Sequence, residues 1–202
     1  MKPLKIDDDT YFVSDTHFGH DSAIGFGKRK NVDGRLFADA NEMNAAMVAA
    51  WNDAVPPDAL VVHLGDFAMR MSKIAQLKLF NKLHGRKILV RGNHDQRADR
   101  LPWIDIHDIA ILEHAGQRIV CCHYPMREWP GYHTGAIHLF GHTHAKLLSS
   151  NRSLDVGVDE IGYAPLSILD IKQRMAALPD IDFRAVKPEV DDAEDDHLID
   201  YR

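Results

Sequence analysis

The segment KILVRGNHD, residues 87–95, joins an apolar strand directly to a glycine, an asparagine, a histidine and an aspartate. Two earlier segments have the same design: ALVVHLGD at residues 59–66 and YFVSDTH at residues 11–17 also run from apolar residues into Asp or His. Apolar residues at helical spacing predict helices over residues 39–55 and 71–83. The order strand, helix, strand, helix, strand predicts an α/β fold with its ligand site at the carboxyl ends of the strands.

Composition delimits the other predicted elements. Asp39 or Asn41 can cap the first helix. Residues 18–35 are rich in Gly, Lys and Asp and predict a long loop. The apolar stripe predicted for the second helix consists of Ile74, Leu77, Phe80 and Leu83. Further strands are predicted at residues 117–122, 136–140, 153–158 and 166–171.

Polar motifs also follow the predicted strands of the second half. His123 follows the first of these strands, and the run Gly-His-Thr-His at residues 141–144 follows the next. Neutral imidazoles and carboxylates are ligands of divalent transition metals. Asp15 and His17 are two positions apart on an extended segment, so both side chains can reach one ion. The two histidines of 141–144 have the same spacing, although they need not share an ion.

Together, these motifs resemble those of the calcineurin-like metallophosphoesterases, in the order typical of that family. The matching segments are Asp15-Thr16-His17, Gly65-Asp66, Gly92-Asn93-His94-Asp95, His123 and Gly141-His142-Thr143-His144. The resemblance covers residues from about 10 to about 170. It implies a four-layer α/β/β/α sandwich, α+β in some schemes, with two central mixed β-sheets flanked by helices. The active site would lie at the carboxyl ends of the strands.

The resemblance also implies a binuclear metal site. One ion would be held by Asp15, His17, Asp66 and His144. The other would be held by Asp66, Asn93, His123 and His142. Asp66 would therefore bridge two divalent ions, and a water between them would attack the phosphorus. Mn²⁺ is favoured, although Fe, Ni, Zn or Co suit the same donor atoms.

Two matching residues lie outside the implied ligand set. His94 would donate a proton to a phosphoryl oxygen or to the leaving group. Asp95 would orient His94 or stabilise its charge. The sequence departs from the commonest family pattern at residues 67–69, which are apolar, and at Tyr124, which follows His123 where many members have glycine.

Several residues are candidates for contact with a substrate. Arg127 could bind a phosphate oxygen, and His20 is close enough in sequence to Asp15 and His17 to line the site. Trp129 or Tyr132 could stack on a base or sugar, or could pack within a rigid loop. The basic run at residues 28–30 could attract an anionic substrate, although we expect it to be a solvated loop.

The net charge of −6 is concentrated near the C-terminus. Residues 188–202 contain seven acidic residues and one basic residue, so the remainder is close to neutral. A neutral body predicts no binding of extended nucleic acid. We expect a metallophosphoesterase domain at residues 1–185 and an acidic tail at 186–202. Without a long apolar run or a secretory signal, the expectation is a cytoplasmic protein that is not embedded in a membrane. The oligomeric state stays open.

Three functions are compatible with these residues. The complete ligand set, the small size and the near-neutral body favour hydrolysis of small phosphate esters, with diesters such as nucleotides or cyclic nucleotides expected. A nuclease for short oligonucleotides is a narrower form of this hypothesis. The same residues would serve a phosphomonoesterase, including a protein phosphatase. The third alternative, a non-catalytic metal-binding scaffold, is disfavoured because such relatives usually lose a ligand or the catalytic histidine.

Overall fold

A computed structural model of the chain describes residues 2–26, 28–96 and 100–181. The predicted acidic tail at residues 186–202 lies outside these ranges. None of the helices in the described ranges combines the length and the apolar character that crossing a membrane requires.

Within the described residues, ten strands form two mixed five-stranded sheets. The strands are β1 (Leu4–Lys5), β2 (Thr10–Val13), β3 (Leu60–His63), β4 (Arg86–Val90), β5 (Asp105–His107), β6 (Ile109–His114), β7 (Gln117–Cys122), β8 (Ile137–Phe140), β9 (Ser153–Asp155) and β10 (Leu166–Ser167). One sheet has the order β10-β2-β3-β4-β5, in which only β10 is antiparallel to its neighbour. The other has the order β1-β6-β7-β8-β9, with β6 and β7 antiparallel and the other pairs parallel.

The part of the chain that the structure describes also contains five α-helices, which accompany the sheets. They are α1 (Asp21–Phe26), α2 (Ala40–Ala54), α3 (Lys73–Lys82), α4 (Val158–Ile161) and α5 (Ile168–Ala176). One apolar core includes residues of both sheets and of the longer helices, such as Val61 of β3, Trp51 of α2 and Ile119 of β7. The two mixed sheets flanked by helices confirm the fold class that the resemblance implies.

The helices predicted at 39–55 and 71–83 are both present. The Asp39 side chain caps α2 by accepting hydrogen bonds from two backbone N–H groups of the first turn. In α3 the predicted stripe is wrong at its start, because Ile74 is 69% exposed and Leu77 is 37% exposed. Leu79 is buried instead, together with the correctly predicted Phe80. The buried face of α3 is therefore rotated from the one that periodicity alone selects.

Three other predicted segments differ from the structure. The loop predicted at 18–35 contains the short helix α1. The strand predicted at 153–158 ends at Asp155, and Val158, the last residue of the predicted segment, begins α4. The strand predicted at 166–171 is only two residues long, because a capping box starts α5: the Ser167 hydroxyl accepts from the Asp170 N–H, and the Asp170 carboxylate accepts from the Ser167 N–H.

The polar motifs meet because both sheets present carboxyl ends at a shared edge. β2, β3 and β4 are parallel neighbours in one sheet, and β7 and β8 are parallel neighbours in the other. The backbone joins the two sheets at this edge, since the Ser14 N–H donates to the Val156 carbonyl and the Val158 N–H donates to the Ser14 carbonyl. The topology thus brings five separate motifs to one place.

Candidate metal centre

The loops after β2 and β3 bring three buried donor side chains together. Asp15, His17 and Asp66 are all nearly inaccessible to solvent. His17 Nε2 lies 3.5 Å from Asp66 Oδ2 and 3.9 Å from Asp15 Oδ1. His144, after β8, completes a group with Asp15 and His17 in which one ligand atom of each residue lies within 4.8 Å of the others. This group could hold one metal ion.

A second group adjoins the first. Asp15, Asp66 and His123 offer ligand atoms within 4.8 Å of one another. His123 Nε2 lies 3.6 Å from Asp66 Oδ2 and 3.1 Å from Asn93 Oδ1. The ring of His142 lies 5.1 Å from that of His123. Asp66 Oδ2 is therefore close to a histidine of each group, which is where a bridging carboxylate must lie.

The donor atoms fit a metal ion. Asp15 Oδ1 is buried, and no described residue donates a hydrogen bond to it. Burial raises the pKa of Asp15 to about 6, and burial also raises the pKa of Asp66. Burial, and next the positive charge of Arg29, lower the pKa of His17 to about 2, so its imidazole is neutral near pH 7. Neutral imidazole beside carboxylates that need a compensating cation is the donor set of a divalent transition metal.

Two glycines permit the close approach of these loops. A Cβ atom on Gly92 would collide with the carboxylate and the backbone N of Asp66. A Cβ atom on Gly141 would collide with the side chains of Ser14 and Asp15. At both positions, therefore, only a residue without a Cβ atom lets the two loops approach this closely.

His94 stands at the open side of the cluster. Its side chain is 41% exposed, and Nε2 lies 3.9 Å from Asp66 Oδ2. The backbone N–H of His94 donates to Asp66 Oδ1 over 2.9 Å, which ties the loop after β4 to the loop after β3. The imidazole can therefore meet a substrate that approaches from solvent.

Asp95 has a different contact from the one predicted. Its carboxylate accepts from the backbone N–H groups of Asp66 at 2.6 Å, Phe67 at 3.1 Å and Gly92 at 2.9 Å. No hydrogen bond to the His94 imidazole is found in the described part of the chain. Three amide donors converge on the carboxylate, which joins the two loops, and the prediction that Asp95 orients His94 or stabilises its charge stays a prediction.

The sequence reasoning missed two residues beside the first group whose side chains are buried. Arg29, which we expected to be solvated, is buried and forms an ion pair with Asp159 of α4. The Asp159 carboxylate also lies 2.6 Å from His144 Nδ1. Burial alone would raise the pKa of Asp159, but the hydrogen bonds from His144 and Arg29 hold it below its usual range. No sequence signal separated Arg29 from the lysines on either side of it.

The substrate-contact candidates have different positions. The ring of the buried His20 lies 5.6 Å from that of His17, so His20 is beside the site. Arg127 is on an exposed part of the loop after His123. Trp129 and Tyr132 are buried with Val120 in a small second core, which favours the packing alternative. Instead, the half-exposed Tyr124 contacts the ring of His142 at 4.8 Å.

A cavity of about 360 Å³ borders His94. Its walls include the apolar residues that depart from the common family pattern, and also Arg70 and Gln76. The lining residues are Phe67, Ala68, Met69, Arg70, Met71, Gln76, His94, Asp95, Gln96 and Leu101. The volume lies within the range of pockets that hold small molecules, about 300–1,000 Å³.

Comparison with known proteins places these observations in a family. The chain is 28% identical over 166 residues to the uncharacterized protein MJ1445 of Methanocaldococcus jannaschii, covering 78% of this chain and 86% of that protein. It is 28% identical over 188 residues to the Gene 66 protein of Mycobacterium phage L5, covering 76% and 87%. The crystal structure of AQ665 from Aquifex aeolicus, a protein of unknown function, has a TM-score of 0.62 and 25% identity, covering 82% of this chain and 98% of that one. The sequence profile of the calcineurin-like phosphoesterase superfamily domain matches residues 10–158. The chain therefore belongs to the calcineurin-like phosphoesterase superfamily.

Proposed function

We propose that the protein is a binuclear metal-dependent hydrolase of small phosphate diesters. The observation that carries this proposal is the pair of adjoining donor groups, with Asp66 between them and the accessible His94 beside them. The first ion would be held by Asp15, His17, Asp66 and His144. The second would be held by Asp66, Asn93, His123 and His142. Mn²⁺ is the favoured metal because carboxylate and amide oxygens suit it, and the imidazoles would also suit Fe, Ni, Zn or Co.

The bound ions would supply a water nucleophile of lowered pKa and would neutralise charge on the phosphoryl oxygens. The residues of the chain prepare the site for this chemistry. His123 Nδ1 lies 2.7 Å from the Leu64 carbonyl, which can only accept, so Nδ1 carries the proton and Nε2 is available to bind metal. His94 would donate a proton to the departing oxygen, since it is the exposed imidazole next to Asp66.

The cavity beside His94 favours a diester over a monoester. A diester carries a second organic substituent, whereas a monoester has only the leaving group to accommodate. The cavity has room for a group of nucleoside size, and its methionine and phenylalanine walls suit an apolar or aromatic group. We propose nucleotides or cyclic nucleotides as the substrate class, and we propose no binding of extended nucleic acid or of a membrane.

The test is metal add-back with two model substrates. Metal-free protein would be assayed with bis-nitrophenyl phosphate and with nitrophenyl phosphate, before and after addition of Mn²⁺. We expect turnover of the diester only with metal, and a loss of about 10²- to 10⁴-fold in kcat in His94→Ala. His133→Ala is the matched control, because His133 is an exposed histidine that pairs with Glu128 on the surface.

The alternatives predict other outcomes. A strong preference for the monoester would support a phosphomonoesterase, including a protein phosphatase, and would overturn the diester proposal. Metal binding without turnover of either substrate would support the non-catalytic scaffold. An equal loss of activity in His94→Ala and His133→Ala would contradict the role of His94.

A further inference from the structure

We propose that Asp159 and Arg29 are positioning residues of the first ion site. Asp159 holds His144 in the tautomer that binds metal, and Arg29 connects Asp159 to the backbone beside Asp15 and His17. This inference rests on the proposed function, since it concerns the ligands of the same site. Neither residue belongs to the motifs by which the sequence resembles its family.

The contact between Asp159 and His144 selects the ring nitrogen that can bind an ion. Asp159 Oδ2 lies 2.6 Å from His144 Nδ1, and the Asp159 side chain is only 2% exposed. An ionised carboxylate can only accept, so Nδ1 must carry the proton. Nε2, the other ring nitrogen, is then the one with a lone pair for metal. The orientation of the ring is also restrained, because the carboxylate itself is held from a second direction.

Arg29 is the second restraint. Its Nε donates to Asp159 Oδ1 at 2.8 Å, and one terminal nitrogen donates to Asp159 Oδ2 at 3.0 Å. The guanidinium also donates to the carbonyls of Asp15 at 2.6 Å and Thr16 at 2.8 Å. One planar cation thus joins the carboxylate behind His144 to the turn that contains Asp15 and His17, so all three residues of the first donor group belong to one network.

The arrangement does more than stabilise the fold. A buried ion pair contributes little net stability compared with well-packed apolar residues, because both charges lose their hydration. A guanidinium with a planar fork can, however, hold a carboxylate and two carbonyls at fixed angles, which a lysine cannot do. Fixed geometry is what metal ligands require, since supporting contacts to ligands commonly change metal affinity about 10- to 100-fold.

The decisive variant is Asp159→Asn, measured first without metal. The single carbonyl oxygen of asparagine would accept from Arg29, and its amide group would then face His144 Nδ1. Nδ1 would have to accept, so the proton would move to Nε2. Long-range ¹H–¹⁵N spectra of metal-free protein at pH 8, with the His144 signals assigned from His144→Gln, would report the tautomer. We expect the Nδ1–H form in the parent and the Nε2–H form in Asp159→Asn.

Calorimetric titration with Mn²⁺ gives the second readout. We expect two ions per chain in the parent, and one of the two bound about 10- to 100-fold more weakly in Asp159→Asn. Glu42→Gln is the control: Glu42 also accepts two hydrogen bonds from an arginine, Arg35, but it lies on α2 and outside both donor groups. We expect the control to keep the parent tautomer and both affinities.

The outcomes separate this inference from the proposed function. An unchanged tautomer with two unchanged affinities in Asp159→Asn would overturn the positioning role, and so would an equal weakening in Glu42→Gln. A parent that binds no metal would overturn the proposed function, whereas the tautomer measurement would still test the contact. If Asp159→Asn does not fold, Arg29→Lys keeps the buried charge but loses the fork, and we expect it to weaken one Mn²⁺ site. Two sites of parent affinity in Arg29→Lys would contradict the proposal.

Discussion

Most of the proposed metal ligands have a strained backbone conformation. Five of the seven adopt the left-handed region that L-residues rarely occupy. Their φ values are 56° for Asp15, 46° for His17, 59° for Asp66, 69° for His142 and 49° for His144. Asp and His tolerate this region better than most residues, but such conformations persist only where surrounding contacts enforce them. The hydrogen bonds from Arg29 and to Asp95 provide that enforcement at the turns containing Asp15 and Asp66.

Gly92→Ala is the residue-scale prediction. The new methyl group would displace the Asp66 carboxylate, and we expect Mn²⁺ affinity to fall by about 10-fold or more, as for loss of a supporting contact at a metal ligand. Calorimetric titration measures the change. Gly25→Ala is the control, because no atom lies near its added Cβ and its helical position should gain up to about 1 kcal/mol of stability. If Gly92→Ala bound Mn²⁺ with the affinity of the parent, the two loops would be able to separate without weakening metal binding.

At the scale of elements, short helices decide which residues reach the site. α4 is four residues long and supplies Asp159, although its first residue, Val158, was predicted to be the last residue of a strand. α5 follows a strand of only two residues, and its buried side is formed by Ile168, Ile171 and Met175. That spacing fits a helix, but three β-branched or apolar residues next to a strand also fit an extended segment. The capping box at Ser167 decides between them.

Ser167→Ala is the element-scale prediction. The variant removes the hydroxyl that caps α5, and we expect the free energy of unfolding to fall by about 1 kcal/mol. Urea titration followed by circular dichroism measures this change. Ser167→Thr keeps a capping hydroxyl and should lose less. Equal stability of Ser167→Ala and the parent would mean that packing of the apolar side alone starts the helix.

For the whole molecule, each sheet buries a histidine that is neutral and fully hydrogen-bonded. In one sheet, His63 Nδ1 accepts from the Gly65 N–H, and Nε2 contacts the Thr16 hydroxyl. In the other, His138 Nε2 accepts from the Met126 N–H, and Nδ1 contacts the Val120 carbonyl. Burial lowers the pKa of His63 to about 3 and that of His138 to about 4.

This burial predicts acid sensitivity. The unfolded chain takes up protons on these rings near pH 6.5, whereas the folded chain does so only at lower pH, so stability is complete above 6.5 and is lost as pH falls toward about 4. In His138→Gln we expect the slope of unfolding free energy against pH to decrease by about one proton, about 1.4 kcal/mol per pH unit, between pH 4 and 6.5. Urea unfolding in a chelator across this range measures the slope. An unchanged slope would show that His138 is not a source of the sensitivity.

Local sequence pattern was sufficient to predict the strands that lead to the candidate site. Apolar runs that end in Asp, Asn or His predicted the strands β2, β3, β4, β7 and β8, and parallel order predicted that their ends meet. The residues Asp15, His17, Asp66, His123 and His144 lie where that reasoning expects. These predictions succeed because strand periodicity and the position of a residue at a strand end are encoded within a few neighbouring residues.

Only the tertiary structure decided the rest. Two of the three partners of Asp95, the N–H groups of Asp66 and Phe67, belong to a different loop, and the bond between Arg29 and Asp159 spans 130 residues of sequence. The burial of Trp129 and the rotation of α3 likewise depend on what packs against them. These hydrogen bonds and this burial involve residues that are distant in sequence. A local sequence pattern does not indicate which distant residues will come into contact. The candidate donor residues of the site could therefore be predicted from the sequence, whereas the contacts that hold them in place could not.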